Sequence, residues 1–255
     1  MSEDTKLIQL LRKMGHDMRV PLNTIISTGE MLLGGAYDPL TPKQDKAVTR
    51  MQRNNMRLLA ILDDFVSYVK ADAGELDLNP KPFDLRAQMT SWCAPLRSAA
   101  EEKGLALHIE ISADVPATIT ADEALVKRIV QALLWNAVSY TAKGEIHVTV
   151  EWTTAPEYFI RIKDTGSGIT SAHLPQIFEP FWRGEQRPQM PTANAGLGLP
   201  LALALAKLMG GTVTLQETSP SGSTFCAKLS KPRTTEPLPP LEQAAKTEPD
   251  GSKLP

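Results

Sequence analysis

A histidine and an aspartate stand side by side in the segment MGHDMRVPL, where His16 and Asp17 precede Pro21 inside a helical pattern. A neighbouring carboxylate orients an imidazole and raises its basicity, and a proline removes a backbone hydrogen bond and loosens the turn before it. The helical phase separates His16 from the apolar stripe of Met14 and Met18. We therefore expect it to face solvent, where it could act as a nucleophile towards phosphorus. A plain surface histidine beside a helix kink is the alternative, and this segment alone favours it.

A second carboxylate, Asp164, follows the predicted strand YFIRI and begins the segment DTGSGI. Gly166 and Gly168 leave the backbone there open to the close approach of a flat ring. The carboxylate can accept a hydrogen bond from an exocyclic amine, such as the amine of adenine. A glycine-rich tight turn without any ligand is the alternative interpretation of this segment.

Two further glycines, Gly196 and Gly198, open an apolar helix in the segment AGLGLPLALALAKLMGG. Glycines at a helix start leave backbone N–H groups free to bind phosphate. A dinucleotide-binding fingerprint would need a strand directly before these glycines. Residues 183–195 are instead polar and contain proline, so we predict a mobile loop that acts as a lid over a ligand.

The amide of Asn136 lies on a predicted helix over residues 121–140. Its oxygen can complete the octahedral shell of a Mg²⁺ ion that also holds phosphates. A hydrogen bond from Asn136 to a neighbouring loop is the alternative. The remaining histidines, His108, His147 and His173, have no partner at a metal-ligand spacing, so we expect structural or surface roles for them.

Residues 7–73 are predicted to form two long helices separated by the turn-forming segment GGAYDPLTP, with Thr41 as the cap and Pro42 as the first residue of the second helix. Two helices alone bury little apolar surface, so we expect an α-helical hairpin that dimerises into a four-helix bundle. The second helix carries a heptad seam with steps of three and four. The residues of this seam are Val48, Met51, Asn55, Leu58, Leu62, Phe65 and Val69.

The rest of the chain has a different pattern. Residues 85–230 mix helical periods with alternating segments such as EIHVTVEW and YFIRIKD, which predicts an α+β two-layer sandwich with helices on one face of a mixed or antiparallel sheet. We assign residues 1–75 to the hairpin, 76–84 to a linker and 231–255 to a disordered, proline-rich tail.

The composition excludes several classes of protein. The 255 residues include Lys+Arg 27 and Asp+Glu 29, a formal net charge of −2, which excludes a strongly basic nucleic-acid binder. A membrane span needs about 18 apolar residues, and the nearest candidate, from Leu197 to Met209, is shorter. With a polar start and two cysteines, Cys93 and Cys226, that fit a reducing compartment, we expect a soluble, cytoplasmic protein.

Taken together, six segments resemble the H box, N box and glycine boxes of bacterial-type sensor histidine kinases. They are GHDMRVPLNTI, LLWNAVSYT, DTGSGI, IFEPFWRG, AGLGLPLALALAKLMGG and SPSGSTF. The resemblance covers roughly residues 7–230. It implies a dimerisation and histidine phosphotransfer domain over residues 1–75 and an ATP-binding kinase domain over residues 85–230.

The resemblance also implies an activity. His16 matches the phosphoacceptor, and Asp17 matches the acidic neighbour that activates it. Such enzymes move the γ-phosphoryl group of ATP to their own histidine and then to an aspartate of a response regulator receiver domain. We identified no input domain before Leu7, so we expect either a separate sensory input protein or a longer sensor of which this chain is a fragment.

The same resemblance assigns ligand contacts. Asn136 matches a Mg²⁺ ligand, and Asp164 matches the carboxylate that reads adenine. The glycines fall into two pairs, one beneath the base and one at the phosphate end of the lid. These are Gly166 with Gly168, and Gly196 with Gly198.

The nucleotide-binding motifs depart from the family pattern at three positions, and Val20 lies where the family often carries threonine or asparagine. Ala132 replaces a second asparagine, Ser139 replaces a lysine or arginine, and Asn194 replaces the first glycine of the lid-end motif. Loss of a positive phosphate contact costs about 1–3 kcal/mol. These departures leave a second hypothesis open, a catalytically weak or inactive, kinase-like, nucleotide-binding dimeric scaffold.

Overall fold

The computed structural model of the chain describes residues 3–154, 156–184 and 195–230. It begins with a hairpin of two long helices, α1 (Glu3–Leu33) and α2 (Pro42–Asp72). Thr41 caps α2 in a capping box with Gln44, and Pro42 occupies the first turn, as the sequence predicts. In the described part of the chain, none of the helices is both long enough and apolar enough to cross a membrane.

The inner face of the hairpin is partly apolar and partly polar. Leu22, Leu62 and Val66 form its small buried cluster. Asn55 Nδ2 donates a hydrogen bond of 2.8 Å to the Leu22 carbonyl oxygen, and Gln52 Nε2 donates one of 2.6 Å to a second carbonyl of α1. Because these bonds join side chains of α2 to the backbone of α1, they specify how the two helices align.

The predicted heptad seam is divided between two surfaces, which corrects the single seam expected from the sequence. Asn55 and Leu62 face α1 and are buried, whereas Met51 and Leu58 are 42% and 46% exposed. Residues spaced by three and four positions cover a broad strip along one side of an isolated helix. Within the hairpin, α1 covers only one edge of that strip, and the other edge remains exposed to solvent.

The second half of the described chain forms two layers, as predicted. The strands of a five-stranded sheet are β2 (Ala106–Ile111), β4 (Glu145–Trp152), β5 (Glu157–Asp164), β6 (Thr212–Ser219) and β7 (Gly222–Ser230). They lie in the order β2-β4-β5-β7-β6, in which β2 and β4 are parallel and the other neighbouring pairs are antiparallel. The helices that form the other layer are α3 (Leu85–Glu102), α4 (Glu123–Tyr140) and α5 (Gly198–Leu208).

A two-stranded antiparallel ribbon joins the hairpin to this domain. Its strands are β1 (Lys81–Phe83) and β3 (Ile119–Ala121). The predicted linker over residues 76–84 contains β1, and the sequence pattern predicts neither strand. Three residues is too short a stretch for alternation to reveal a strand.

Strand alternation positions the side chain of Asp164, one of the predicted site residues. Along β5, Tyr158, Ile160 and Ile162 are buried beneath the helices. Asp164 continues the same alternation, so the strand ends with a carboxylate on the helix side of the sheet.

The hairpin packs against the second domain through the C-terminal half of α2. The rings of Phe65 and Phe181 lie 5.7 Å apart. Arg128 Nη2 lies 2.9 Å from Asp64 Oδ1, and Arg128 Nη1 donates a 2.6 Å hydrogen bond to Ser67 Oγ. Burial raises the pKa of the Asp64 carboxyl, and Arg128 opposes that rise.

Candidate functional site

A cavity of about 210 Å³ lies between α4, the loop after β5 and the start of α5. Asn136, Asp164, Gly168, Gly196 and Gly198 all line it, so five of the six predicted cofactor-binding residues share one cavity. The other lining residues are Ala132, Trp135, Ser139, Tyr140, Ile169, Thr170, His173, Ile177, Trp182, Arg183, Gly184, Leu199, Pro200, Ser223 and Phe225.

One face of α4 forms a wall of the cavity. Ala132, Trp135, Asn136, Ser139 and Tyr140 recur at helical spacings of three and four, and all of them line the space. Two of the departures from the family pattern therefore lie on the wall that carries Asn136. Within the described residues, the buried Trp135 Nε1 and Ser139 Oγ atoms have no hydrogen-bond partner.

Asp164 is only 5% exposed. The backbone N–H of Gly166 donates a 2.8 Å hydrogen bond to its Oδ1 atom, and a backbone hydrogen bond from Ser223 also reaches the carboxylate. Burial raises the pKa of Asp164, while the two backbone bonds oppose that rise. A buried carboxylate at the edge of a cavity is an acceptor with few competing water molecules.

The glycines of the segment DTGSGI are required by contacts within the protein. Gly168 has φ +67, and a Cβ atom there would overlap the carbonyl oxygen of Ser219 in the β6–β7 turn. Gly166 does not line the cavity. A Cβ atom on Gly166 would lie 2.6 Å from the carbonyl oxygen of Tyr140, at the end of α4. The expectation that both glycines serve the approach of a ring therefore misses their role in packing the loop.

Thr218 helps to position the same loop. Its Oγ1 atom accepts a 2.8 Å hydrogen bond from the N–H of Ile169 and lies 3.0 Å from Ser223 Oγ. The sequence pattern predicts no role for Thr218 or Ser223. The nearest signal is the motif SPSGSTF, which contains Ser223 and brings it beside Asp164 only through the pairing of β5 with β7.

The start of α5 has a tight, glycine-rich backbone, as the sequence predicts. Gly196 has φ +78, and a Cβ atom there would lie 2.5 Å from the Trp182 carbonyl oxygen. The helix begins at Gly198, so the N–H groups of Gly198 and Leu199 have no partner within the helix. Most of the predicted lid, including Asn194, falls on residues 185–194, outside the described residues.

His173 lines the cavity, a placement that its position in the sequence does not predict. Its ring packs edge-on against Trp182 with centroids 5.2 Å apart, and its Nδ1 atom lies 3.0 Å from Thr170 Oγ1. Arg183 also lines the cavity, and its charge partly opposes the rise that burial causes in the pKa of Tyr140.

His16 and Asp17 lie on α1, outside the set of residues that line the cavity. Their side chains are 77% and 61% exposed, and His16 Nδ1 is 3.5 Å from Asp17 Oδ1. Gly15 packs directly on Val66, so the backbone beside His16 is fixed against α2 while the imidazole stays in solvent.

Arg19 adds a second link between the helices near His16. Its Nε atom lies 2.7 Å from Asp63 Oδ1. Pro21 has no N–H to donate to the Asp17 carbonyl four residues earlier, but α1 continues through it. The 77% exposure of the His16 side chain confirms that this histidine faces solvent, as the helical phase predicts.

Comparisons with known proteins identify both parts of the chain. Residues 6–74 match the His Kinase A (phospho-acceptor) domain, and residues 121–233 match the histidine kinase-, DNA gyrase B- and HSP90-like ATPases. Signal transduction histidine-protein kinase BarA of Escherichia coli K12 is 31% identical over 221 residues, which is 85% of this chain and 24% of BarA. Sensor histidine kinase GacS of Pseudomonas protegens is 29% identical over 242 residues, 91% of this chain and 26% of GacS. The chain thus spans about a quarter of the length of these relatives.

Solved structures share the fold. Full-length ShkA in complex with AMPPNP has a TM-score of 0.75 and 25% identity, over 88% of this chain and 46% of ShkA. The Acinetobacter baumannii histidine kinase AdeS has a TM-score of 0.60 and 21% identity, over 85% of this chain and 98% of AdeS. With a phospho-acceptor hairpin and an ATPase domain of this type joined in one chain, the protein belongs to the sensor histidine kinases of two-component systems.

Proposed function

We propose that this protein uses ATP to phosphorylate His16 and then transfers the phosphoryl group to an aspartate of a response regulator. The observation that carries the proposal is an exposed imidazole beside a carboxylate, in the same chain as a cavity with a buried acceptor carboxylate and a helix N-terminus. The relatives named as histidine kinases support it, and no comparison favours the inactive scaffold.

Asp17 directs the chemistry of the imidazole. Because its carboxylate lies beside Nδ1, it favours the tautomer with the proton on that nitrogen and leaves the lone pair on Nε2. Nε2 forms a bond to the γ-phosphorus of ATP while the bond from that phosphorus to the bridging oxygen breaks and ADP leaves. The Nδ1 proton then passes to Asp17 or to solvent, which returns the phosphorylated ring to neutrality.

The cavity fits a nucleotide. Asp164 accepts a hydrogen bond from the adenine amine, and the free N–H groups at the start of α5 bind phosphate oxygens. Arg183 lies where its charge can offset that of the phosphates. Mg²⁺ would neutralise phosphate charge, and the Asn136 oxygen fits the one or two protein ligands this ion takes beside phosphates and water.

The exposed apolar stripe of the hairpin supports a homodimer. Met14, Met18 and Ile25 lie at spacings of four and seven on α1 and are 49%, 42% and 40% exposed. With Met51 and Leu58 of α2 they would form the interior of a four-helix bundle.

The setting of the reaction follows from its chemistry. A response regulator receiver domain supplies the acceptor aspartate, and a sensory input protein or domain supplies the signal. ATP is available in the cytoplasm, and the buried free thiols of Cys93 and Cys226 fit that reducing compartment. We therefore place the reaction there.

Incubation of the protein with γ-labelled ATP and Mg²⁺ tests the proposal. We expect acid-labile, base-stable label on the wild type, none on His16→Gln, and at least tenfold less on Asp164→Asn. Lys13→Gln, which alters an exposed side chain one turn before His16, is the matched control and should be labelled within twofold of the wild type. Nucleotide binding without any label would instead identify an inactive scaffold.

A further inference from the structure

The open face of the sheet brings together two histidines that are far apart in the chain. In the parallel pairing of β2 with β4, His108 and His147 are direct partners. Glu145 lies two residues before His147, so strand alternation places it on the same face, while Ile146 and Val148 turn towards the helices. This arrangement corrects the expectation, based on sequence spacing, that neither histidine has a metal-ligand partner.

The three side chains already converge. His147 Nε2 lies 3.0 Å from Glu145 Oε1, and His108 Nε2 lies 3.6 Å from Glu145 Oε2. The two imidazole rings stack with centroids 4.7 Å apart. One ligand atom from each residue lies within 4.8 Å of the other two.

These distances suit a small tetrahedral metal site. Metal–ligand bonds of about 2.0–2.1 Å place neighbouring ligand atoms about 3.3 Å apart. The histidine–carboxylate distances of 3.0 and 3.6 Å lie on either side of that value, and all three ligand atoms lie within 4.8 Å of one another. Two imidazoles and one carboxylate favour Zn²⁺, Cu²⁺ or Ni²⁺ over the oxygen-preferring Mg²⁺. We propose that His108, Glu145 and His147 form a binding site for a transition-metal dication of the Zn²⁺ class, with water completing the shell.

The surroundings of the cluster leave room for a metal ion to bind. Ala106, the strand partner of Glu145, adds no bulk, and the side chains of His108 and Glu145 are each 49% exposed, so an ion can enter directly from solvent. On the same face, Glu110 follows His108 along β2, and Lys163 of β5 pairs with His147. The positive charge of Lys163 opposes a cation, whereas Glu110 attracts one.

The proposed site is separate from the nucleotide cavity. Asp164 lies on the helix side of the sheet, and the metal cluster lies on the opposite side. A bound ion would join the edge strand β2 to β4 and should therefore raise the melting temperature of the protein. This inference does not depend on the kinase activity.

Isothermal titration of the full chain with Zn²⁺ at pH 7.5 tests the proposal. We expect one saturable site per chain and an affinity at least about 10–100-fold weaker in His147→Ala and in Glu145→Gln. Excess Mg²⁺ should not compete.

His16→Gln is the matched control, because it removes another exposed histidine beside a carboxylate. It should keep the zinc affinity of the wild type. Circular dichroism establishes that each variant is folded. Because Glu145→Gln preserves the size of the side chain, it remains a test of the site if His147→Ala fails to fold. The proposal is overturned if zinc does not saturate a site, if folded Glu145→Gln and His147→Ala bind as the wild type does, or if His16→Gln abolishes binding.

Discussion

The helical hairpin and the ATP-binding domain bury their apolar side chains in different ways. The domain encloses a continuous core between five strands and three helices, in which Leu133, Val150 and Ile160 are fully buried. The buried cluster described within the hairpin contains only Leu22, Leu62 and Val66. Most of the large apolar side chains that remain exposed in the described residues belong to the hairpin.

This difference indicates how each part is stabilised. The domain obtains its free energy of folding from its own interior, so the cavity has a rigid frame. The hairpin relies on polar links such as Gln52 and Asn55, and on surfaces outside itself. One such surface is the ATP-binding domain, which contacts Phe65. The other, under the proposed function, is a second copy of the hairpin.

The largest expected effect comes from charging the open face of the hairpin. Burial of the exposed parts of Met51 and Leu58 contributes about 1 kcal/mol each, so the Met51→Glu, Leu58→Glu double variant removes about 4 kcal/mol from a symmetric dimer. The dimer dissociation constant should rise about 1000-fold. Analytical ultracentrifugation measures this change.

Met56→Glu is the matched control for that variant. Met56 is 52% exposed but lies five residues from Met51, on a different side of α2. We expect a dimer dissociation constant within about threefold of the wild type. Equal weakening by the control would show that the exposed stripe is not the interface, and the affinity for ATP should be unchanged in both variants.

The next effect tests the rigid frame of the cavity. Gly168→Ala combines left-handed strain with an overlap against the Ser219 carbonyl, at a total cost of roughly 3 kcal/mol. The affinity for ATP, measured by calorimetry, should fall about 100-fold. Gly104 has φ +72 with open space around it, so Gly104→Ala should cost only about 1 kcal/mol of stability and leave ATP binding intact.

Similar losses of ATP affinity in both variants would contradict this interpretation. Backbone strain alone would then account for the effect, and the close contact with the β6–β7 turn would be irrelevant.

The smallest effect concerns the junction of the two regions. The pKa of Asp64 is raised in the docked arrangement, so docking takes up a proton and weakens as the pH rises through that pKa. Arg128→Ala removes the interaction that opposes this rise. We expect it to make docking about fivefold weaker at neutral pH, since an ion pair of this exposure contributes about 1 kcal/mol.

Small-angle scattering at pH 5 and pH 8 measures the docking. Arg128→Ala should be more extended than the wild type, and the difference should be larger at pH 8. Arg128→Lys retains the charge, so its radius of gyration should lie between those of the wild type and Arg128→Ala. An equal radius of gyration for all three proteins at both pH values would show that Arg128 does not hold the domains together.

Much of the site was accessible from local pattern. The spacing on α4 predicts that Asn136 shares a face with Ala132 and Ser139, and the alternation of β5 leads directly to Asp164. Thr41 and Pro42 likewise predict the start of α2. These features depend on residues close in the chain, for which helix and strand periods fix the relative positions of side chains.

Contacts between elements required the tertiary structure. Periodicity identifies Met51, Asn55, Leu58 and Leu62 as one seam, but only the packing of α1 decides which of them are buried. Similarly, the parallel pairing of β2 with β4 makes neighbours of His108 and His147. A helical or strand period states which residues share a face of one element. It contains no information on which element covers that face, because that depends on strand order and helix packing across the whole fold.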